Sequence, residues 1–363
     1  MAWKKELQDS MRTIDDLEKV VSFSASERSQ IAQILERSPM LVTPHYLSLI
    51  DFSDEHDPIR KMALPCLEES DLSGSLDTSG EYDNTVIRGL QHKYHETVLL
   101  LTTSLCATYC RHCFRKRFVG LHDDDSLQDL EAARAYISEH TEVKNVLISG
   151  GDALLNTNEH LRDILEMLVD IEHLDYIRVA SRTPVTLPSR INDDPALLDM
   201  LEHYSKKKQI IFVTQFDHAS EVVSESKDAV QAIRERSIPV RNQTVLLRGV
   251  NDSPEALSKL MSKLLSIGVE PYYVFQCRPV SGVKSLFQVP LKEGYEIVEA
   301  AKGMQSGLGK SFRYCLSHVR GKLEILGTLD NGEMLFKYHE AKDRSNLGKL
   351  FTQDISDTQA WLD

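Results

Sequence analysis

The chain has few of the features that mark exported, membrane-spanning or nucleotide-binding proteins. Its 363 residues include only six cysteines and two tryptophans. The first residues, MAWKKELQDSMRTIDD, contain no long apolar run of the kind found in secretory signals. Apolar runs such as that at 98–101 are far too short to cross a bilayer, and no P-loop is present. We therefore expect a cytoplasmic protein that has no membrane contact.

The chain also lacks an excess of positive charge. The chain carries 42 Lys and Arg against 55 Asp and Glu, a formal net charge of −13. Proteins that bind nucleic acid usually present a basic footprint, so this balance argues against a nucleic-acid partner. Six cysteines without an export signal are poor evidence for disulfides, because the cytosol is reducing. A hydrophobic content of 41% suits an ordinary globular protein, and the length suits an α/β barrel of about 250 residues with extensions.

Short β-branched or aliphatic runs alternate with helical patterns after residue 96. The predicted strands are 98–102, 145–148, 176–180, 210–214, 240–246 and 271–276. The predicted helices centre on 126–139, 158–171, 195–205, 219–236, 254–267 and 293–305. Six β/α units predict a parallel sheet, which forms either a partial or full barrel or an open doubly wound sheet.

The residues before this region predict helices and loops. Ser26 is the predicted N-cap of a helix over 27–36, and Thr43 precedes a second, short helix. The segment 51–83 holds ten acidic residues against two basic ones, which is typical of a solvated surface loop.

The end of the chain predicts a strand and a hairpin. Strands at 324–329 and 334–338 are joined by the turn Asp-Asn-Gly-Glu at 330–333. We therefore divide the chain into an N-terminal extension, a barrel and a C-terminal segment, at 1–95, 96–308 and 309–363.

Polar and sulfur-bearing residues follow the predicted strands directly. Cys106, Cys110 and Cys113 follow the first strand, and Gly150, Gly151 and Asp152 follow the second. Catalytic loops of barrels gather at the carboxyl ends of the strands, so these residues are candidates for one site.

The cysteine spacing, Cys-x-x-x-Cys-x-x-Cys, offers three thiolates on one loop. A structural zinc site requires a fourth ligand nearby, and His112 lies inside the loop between two of the cysteines. An iron–sulfur cluster normally takes four thiolates, so three ligands on a four-iron cluster leave one iron open. A zinc clip or buried free thiols remain the alternative.

This spacing resembles the signature of the radical S-adenosylmethionine superfamily. The resemblance implies a [4Fe-4S] cluster on Cys106, Cys110 and Cys113, with S-adenosyl-L-methionine on the open iron. In that superfamily the reduced cluster cleaves the sulfonium bond and produces a 5′-deoxyadenosyl radical. Residues 149–152, Ser149-Gly150-Gly151-Asp152, resemble the superfamily's glycine-pair motif, which binds the methionine part of the cofactor.

Longer stretches resemble the lysine 2,3-aminomutase family, from about residue 30 to 325. The matching stretches are 43–51, 111–118, 147–155, 181–185, 242–252 and 271–277. The resemblance implies a partial (β/α)6 TIM-like barrel with an N-terminal helical extension and a C-terminal β-hairpin segment. It also implies an isomerase that uses pyridoxal 5′-phosphate to move an α-amino group to the β-carbon of an amino acid. In the family the migrating group is held as an aldimine, and a flavodoxin or ferredoxin is the expected electron donor.

Individual cofactor contacts follow from the same resemblance. Lys322, after Gly321, matches the lysine that binds pyridoxal phosphate, and Gln243 matches a cofactor-binding position. Lys93 and Thr97 occupy the positions of two arginines that bind the cofactor's phosphate. One cation is thus kept as lysine and the other is replaced by a neutral side chain.

The substrate contacts depart from the lysine-specific pattern. Arg115 matches the arginine that pairs with the substrate carboxylate, but Arg278 and Cys315 stand where lysine-specific members carry two aspartates. A guanidinium in place of a carboxylate repels a distal ammonium and attracts a distal carboxylate. We therefore expect a non-lysine substrate, with an acidic amino acid such as glutamate as the first choice.

Three other functions stay open from the sequence. The first alternative is lysine 2,3-aminomutase proper, and the second is a radical enzyme that acts without pyridoxal phosphate. The third is a cluster-bearing module that binds RNA or protein through the basic run 111–117. No cysteine follows residue 315, so the family's zinc-binding, subunit-swapping tail cannot be assumed for this chain; a homo-oligomer stays open.

Overall fold

The computed structural model describes residues 2–121 and 125–362. Its strands form one sheet in which each strand pairs with the next along the chain. The strands are β1 Thr85–Ile87, β2 Leu90–Tyr94, β3 Thr97–Leu101, β4 Asn145–Ser149, β5 Tyr176–Ala180, β6 Gln209–Thr214, β7 Val240–Leu246, β8 Glu270–Gln276, β9 Arg313–His318, β10 Gly321–Thr328, β11 Met334–Ala341 and β12 Leu350–Gln353.

The central strands are parallel and the outer strands are antiparallel. Strands β3 to β9 pair in parallel register, whereas β1 and β2 precede them and β10 to β12 follow them in antiparallel register. A doubly wound sheet reverses its strand order at a switch point, and this order never reverses. The predicted partial barrel is therefore confirmed, and the open doubly wound alternative is wrong.

Helices connect the parallel strands where the sequence predicts them. The helices are α1 Ala2–Gln8, α2 Ile14–Leu17, α3 Ala25–Arg37, α4 Pro44–Ser48, α5 Pro58–Ala63, α6 Glu81–Asn84, α7 Leu130–Glu139, α8 Asn158–Val169, α9 Thr183–Thr186, α10 Ser189–Asn192, α11 Pro195–Ser205, α12 Ser224–Arg234, α13 Pro254–Ser266, α14 Lys284–Phe287 and α15 Leu291–Gly303. None of those described is long and apolar enough to span a membrane.

Helix α13 shows why these segments form. The Ser253 hydroxyl accepts a hydrogen bond from the Ala256 amide, and Pro254 occupies the first helical position. Four buried side chains then recur at helical spacing and pack toward the sheet: Leu257, Leu260, Met261 and Leu264.

The inside of the barrel is a cavity and not a packed core. In β5 and β7 buried and half-buried residues alternate, because one face packs against helices and the other faces the barrel interior. Ile177 and Val179 are fully buried on the helix side. Arg178 and Gln243, in contrast, line the cavity.

Two expectations for the N-terminal region are wrong. The N-cap of α3 is Ser24 and not Ser26, because Ser24 and Glu27 form a reciprocal capping box that starts the helix two residues earlier. The segment 51–83 is not simply a solvated loop, since it contains α5 and most of α6. Its Glu69 and Glu81 are only 3% and 6% exposed, because both bind basic side chains inside the protein.

The predicted hairpin is present as β10 and β11. Strand β10 is longer than expected because its first residues also pair with β9. One hydrophobic cluster includes Ile31, Val146 and Phe336, so the extension and the C-terminal segment pack on the barrel. The boundaries after residues 95 and 308 remain a division that we propose.

Candidate active site

A cavity of about 380 Å³ lies inside the barrel, and it is lined by loops at the carboxyl ends of the parallel strands and by side chains within those strands. This volume is within the range of small-molecule sites. All the site residues singled out from the sequence line it: Cys106, Cys110, Cys113, Ser149, Gly150, Gly151, Asp152, Gln243, Lys93, Arg115, Arg278 and Lys322. Thr97 lines it as well, but Cys315 does not.

The three-cysteine loop is held by main-chain hydrogen bonds that its amides donate to the N-terminal extension. The Tyr109 amide donates to the Leu41 carbonyl at 2.9 Å, and the Arg111 amide donates to the Met62 carbonyl at 2.8 Å. Within the loop, the Cys113 amide donates to the Cys110 carbonyl at 3.0 Å. The extension therefore positions the thiols at the cavity.

The three cysteines are half-buried, so their thiolate forms require nearby positive charge to be stable. Burial raises the pKa of Cys106 and Cys113. Burial also raises the pKa of Cys110 to about 11, although Arg182 acts to lower it. The Arg182 Nη1 atom donates to Cys110 Sγ at 2.6 Å. Metal binding would deprotonate these thiols, because a coordinating thiol is held as thiolate.

Residues 149–152, at the end of β4, form a short loop that we call the glycine shelf. Its glycine pair permits a close approach between this shelf and the cysteine loop. A Cβ on Gly150, whose φ is +130°, would lie 2.3 Å from the Thr103 carbonyl oxygen. A Cβ on Gly151 would lie 2.2 Å from the Leu105 carbonyl oxygen. The Gly151 amide donates to the Thr103 carbonyl at 2.6 Å. Both positions thus require glycine, because any side chain would push the two loops apart.

Asp152 is the last residue of the glycine shelf and its side chain is buried. Burial raises its pKa, while hydrogen bonds oppose that shift. Its carboxylate accepts from the amides of Arg182 at 2.7 Å and Leu154 at 3.0 Å. Asp152 therefore ties the β4 loop to the loop after β5.

A buried charge network lies behind Cys110, and the sequence indicated its Arg182, within the matching stretch 181–185, but not its acidic partners. Arg182 binds Glu221 at 2.6 Å and Asp217 at 3.4 Å, and the Tyr46 hydroxyl donates to Glu221 at 2.7 Å. His112 Nε2 lies 3.4 Å from Asp217. Burial acts to raise the pKa of Asp217, but His112 and Arg182 outweigh it and the pKa is lowered. The spacing of these residues along the chain carries no motif, so only the fold brings them together.

The basic run 111–117 is not an exposed surface. Arg111 is 1% exposed, and it binds Glu69 at 2.6 Å. Lys116 binds the same carboxylate at 2.9 Å. A buried, paired cation cannot contact a nucleic-acid backbone, so the binding-module alternative loses the basic surface on which it depended.

Arg115 is oriented by a buried glutamate. Its Nε atom lies 3.0 Å from Glu81, and Glu81 also binds Arg117 at 2.9 Å. The Arg115 Nη1 atom donates to Ser149 Oγ at 3.4 Å and to the Gly150 carbonyl at 3.3 Å. Burial acts to raise the pKa of Glu81, but the three nearby arginines outweigh it and lower the pKa.

Lys322 approaches the cavity from the C-terminal segment. Its Nζ atom lies 3.1 Å from a Glu340 carboxylate oxygen and 4.5 Å from the centre of the Tyr273 ring. Burial acts to raise the pKa of Glu340, but Lys322 outweighs it and the pKa is lowered. The pairing of β10 with β11 brings these two side chains together.

Lys93 lies in β2 and lines the cavity near Lys322. Its Nζ atom donates to the carbonyls of His318 at 2.5 Å and Ser79 at 3.2 Å. Burial, together with the nearby Arg278 and Lys322, lowers the pKa of Lys93 to about 7. A cation in such surroundings gains most from an anionic ligand.

Arg278 presents a partly unsatisfied guanidinium to the cavity. Its Nη2 atom donates to Ser317 Oγ at 2.8 Å, and its guanidinium lies 4.0 Å from the centre of the Phe114 ring. The buried Nη1 atom has no hydrogen-bond partner among the described residues. Burial lowers the pKa of Arg278 to about 10. Ser317, two positions after Cys315, is therefore the residue of β9 that contacts Arg278.

The arrangement of three cysteines and a glycine shelf at the open end of a partial barrel defines a class of enzyme. Residues 100–261 match the model of the Radical SAM superfamily. Membership implies a [4Fe-4S] cluster and S-adenosylmethionine. The residues fit this pair, because three thiols line one cavity and the glycine shelf adjoins them.

Similar proteins narrow the family. The chain is 37% identical over 355 residues to a putative L-lysine 2,3-aminomutase of Aquifex aeolicus, covering 97% of this chain and 94% of that protein. It is 40% identical to the L-lysine 2,3-aminomutase of Clostridium subterminale, covering 84% and 73%. It is 35% identical to the glutamate 2,3-aminomutase of Clostridioides difficile, covering 84% and 72%. The chain belongs to the lysine 2,3-aminomutase family of radical SAM isomerases.

Proposed function

We propose that this protein is a pyridoxal phosphate-dependent 2,3-aminomutase whose substrate is an amino acid other than lysine, with an acidic amino acid as the first choice. The observation that carries the substrate assignment is Arg278. Its guanidinium is a cation on the cavity wall, and its buried Nη1 atom lacks a partner among the described residues. Arg278 occupies the position at which the family resemblance expects an aspartate in lysine-specific enzymes.

The charges of the cavity support this assignment. Three carboxylates line the described part of the cavity, at Glu81, Asp152 and Glu340. Glu81 is bound by two arginines, Glu340 by Lys322 and Asp152 by two amides. The side-chain ammonium of a lysine substrate would therefore be repelled by Arg278 and would find no unpaired carboxylate among the described residues. The side-chain carboxylate of an acidic substrate would instead gain a charge-assisted hydrogen bond from Arg278.

Two lysines on the cavity wall fit pyridoxal phosphate. Lys322 and Lys93 are the lysines that line the described cavity. We assign Lys322 to the cofactor's carbonyl carbon, and Lys93, with Thr97 and Gln243, to the end that holds its phosphate. When bound, the cofactor supplies an electron sink for the rearrangement, and the cluster with S-adenosylmethionine supplies the initiating radical.

The chain's own residues bind and orient the substrate. We assign Arg115 to the α-carboxylate, and its contacts with Glu81, Ser149 and Gly150 support this by orienting its guanidinium. Glu340 holds the Lys322 amine at a defined position. The side walls are aromatic or aliphatic at Phe114, Leu147 and Val245, so they limit the access of water to the reacting radical.

Reduction with borohydride tests the cofactor assignment. The protein is reconstituted anaerobically with iron, sulfide and pyridoxal phosphate, reduced, and digested for peptide mass analysis. We expect a phosphopyridoxyl adduct on Lys322 that is absent from the K322Q variant. An intact cluster without any adduct would instead indicate a radical enzyme that works without pyridoxal phosphate.

Parallel assays of β-glutamate and β-lysine formation test the substrate assignment. We expect β-glutamate to form faster, and a clear preference for lysine would contradict the charge argument. Lysine is the second candidate, because most of the similar proteins are named lysine 2,3-aminomutase and one is named for glutamate. The assay also requires a one-electron donor for the cluster, which we propose to be a flavodoxin or a ferredoxin.

A further inference from the structure

Three side chains of metal-ligating type meet on the outside of the barrel. His92 lies on β2, His140 follows the last residue of α7, and Glu142 lies between α7 and β4. The connection from α7 enters the amino end of β4, whereas the cysteine loop leaves the carboxyl end of β3. The cluster is therefore distinct from the cavity that contains the cysteines.

The geometry of the three groups suits one small cation. Each residue offers one ligand atom, and the three atoms lie within 4.8 Å of one another. Zinc bonds of about 2.1 Å in a tetrahedral site place ligand atoms about 3.4 Å apart. Small side-chain rotations would close this difference, and all three side chains are half-buried, so the site is reachable from solvent.

Tyr136 of α7 orients both imidazoles. Its carbonyl lies 2.7 Å from His140 Nδ1, so an Nδ1–H donates there and leaves the Nε2 lone pair for a metal. Its ring stacks on the His140 ring at 3.8 Å between centroids. Its hydroxyl lies 2.9 Å from His92 Nδ1, while His92 Nε2 lies 3.3 Å from the His95 carbonyl. If His92 Nε2–H donates to that carbonyl, His92 Nδ1 keeps its lone pair. A metal bound to Nδ1 would then replace the Tyr136 hydroxyl, which is its partner in this structure.

We propose that His92, His140 and Glu142 form a binding site for a divalent transition metal, with zinc as the chemical type that fits best. Two imidazole nitrogens and one carboxylate oxygen are zinc ligands, and a water completes a tetrahedral site. The metal would tie β2 to the connection between α7 and β4. Lys93, the neighbour of His92, points to the cavity from the opposite face of β2, so the site would also fix the strand that presents Lys93.

Elemental analysis of the cluster-loaded protein tests the site. The holoenzyme is dialysed anaerobically against Zn²⁺, and zinc and iron are counted per chain for the wild type and for three variants, H140A, E142Q and H203A. His203 is an exposed histidine on α11 and serves as the control. We expect the wild type and H203A to bind one more zinc than H140A. We expect E142Q to bind zinc at least about tenfold more weakly, and iron to be unchanged throughout.

Thermal unfolding provides a second readout. Zinc binding to the native state raises the unfolding temperature, so zinc should stabilise the wild type and H203A but not H140A. If H140A does not fold, E142Q decides the question through its zinc affinity. Equal zinc content in all four proteins would overturn the proposal, and so would zinc uptake that occurs only as iron is lost from the cysteines.

Discussion

Two half-buried basic side chains contribute positive charge to the wall of the cavity. Arg278 and Lys93 both lie against the cavity, and burial lowers the pKa of each, to about 10 and about 7. A lowered pKa in a basic group means that its charged form lacks solvation or counter-charge. Each residue therefore gains from an anionic ligand, and Arg278 lies near enough to Lys93 to contribute to the lowering of its pKa.

Exchange of the charge at Arg278 should change the substrate preference. In R278D the distal carboxylate of an acidic substrate meets a like charge, while a distal ammonium gains a partner. We expect the ratio of kcat/KM for lysine to that for glutamate to rise by at least about tenfold, equivalent to about 1.4 kcal/mol. R278Q removes the charge without reversing it and should give an intermediate ratio. An unchanged ratio in R278D would place the substrate tail elsewhere.

The titration of Lys93 should make phosphate binding depend on pH. Rising pH through about 7 deprotonates Lys93 in the free protein, so a phosphate ligand must then restore the proton on binding. Pyridoxine 5′-phosphate, which has no aldehyde, isolates this contact from the chemistry of Lys322. Its Kd should rise above pH 7, approaching about tenfold per pH unit, where the phosphate is already dianionic.

The K93M variant is the control for this prediction. It keeps an unbranched apolar side chain but has no proton to exchange. Its Kd should be high and flat over the same pH range. A wild-type Kd that stays constant above pH 7 would show that Lys93 does not contact the phosphate.

At the scale of elements, the acidic segment 51–83 holds the cysteine loop in place. Glu69 binds two cations of the loop, Arg111 and Lys116, and all three side chains are buried. Removal of one partner from a buried ion pair leaves the other charge without compensation, which usually costs about 3–5 kcal/mol. The segment thus contributes to the stability of the loop and is not a mere surface connection.

The Glu69 contact predicts a large loss of stability. We expect E69Q to lower the free energy of unfolding by about 3 kcal/mol or more in a denaturant titration. E68Q changes the exposed neighbouring glutamate in the same way and should stay within about 0.5 kcal/mol of wild type. Equal effects of the two substitutions would show that the buried ion pairs do not support the loop.

The glycine shelf predicts a defect in cluster binding. In G151A the new Cβ would lie 2.2 Å from the Leu105 carbonyl oxygen, so the cysteine loop must move. We expect reconstituted G151A to hold much less iron and sulfide than wild type. Gly303, at the end of α15, has no heavy atom within 4 Å of the corresponding Cβ, so G303A should bind iron normally. Full iron content in G151A would contradict the tight contact between the two loops.

At the scale of the whole molecule, the extension, the barrel and the C-terminal segment share one hydrophobic cluster. This cluster includes Met11 near the beginning of the chain and Leu362 near its end. Strands β9 and β10 continue the barrel sheet directly, so the lysine assigned to pyridoxal phosphate lies on an element that completes the core.

This shared core predicts cooperative unfolding. Calorimetry of the full chain should show a single transition, with a van't Hoff enthalpy close to the calorimetric enthalpy. A chain that ends at residue 308 lacks β9 to β12 and exposes the edge of β8, so it should aggregate or fail to fold. Two separate transitions of the full chain would instead support independent domains at the proposed boundaries.

Local patterns predicted most elements because each strand and helix carries its own periodicity. Strands β4 to β8 lie within one residue of their predicted bounds, and α11 lies exactly where the pattern places it. The start of α3 was misplaced because two serines, Ser24 and Ser26, precede its apolar residues. Only the position of Glu27, three residues after Ser24, distinguishes the capping residue.

The sequence by itself determined the class of enzyme, because the cysteine spacing and the glycine pair are local chemical motifs on adjacent β/α units. Only the tertiary structure decided how charge is distributed around them. Glu69 and Glu81 lie far from the cysteine loop along the chain, as do Asp217 and Glu221, yet the fold places them against its cations and Arg182. Whether a charge is solvated or buried depends on contacts between distant segments, and no periodicity along the chain records those contacts.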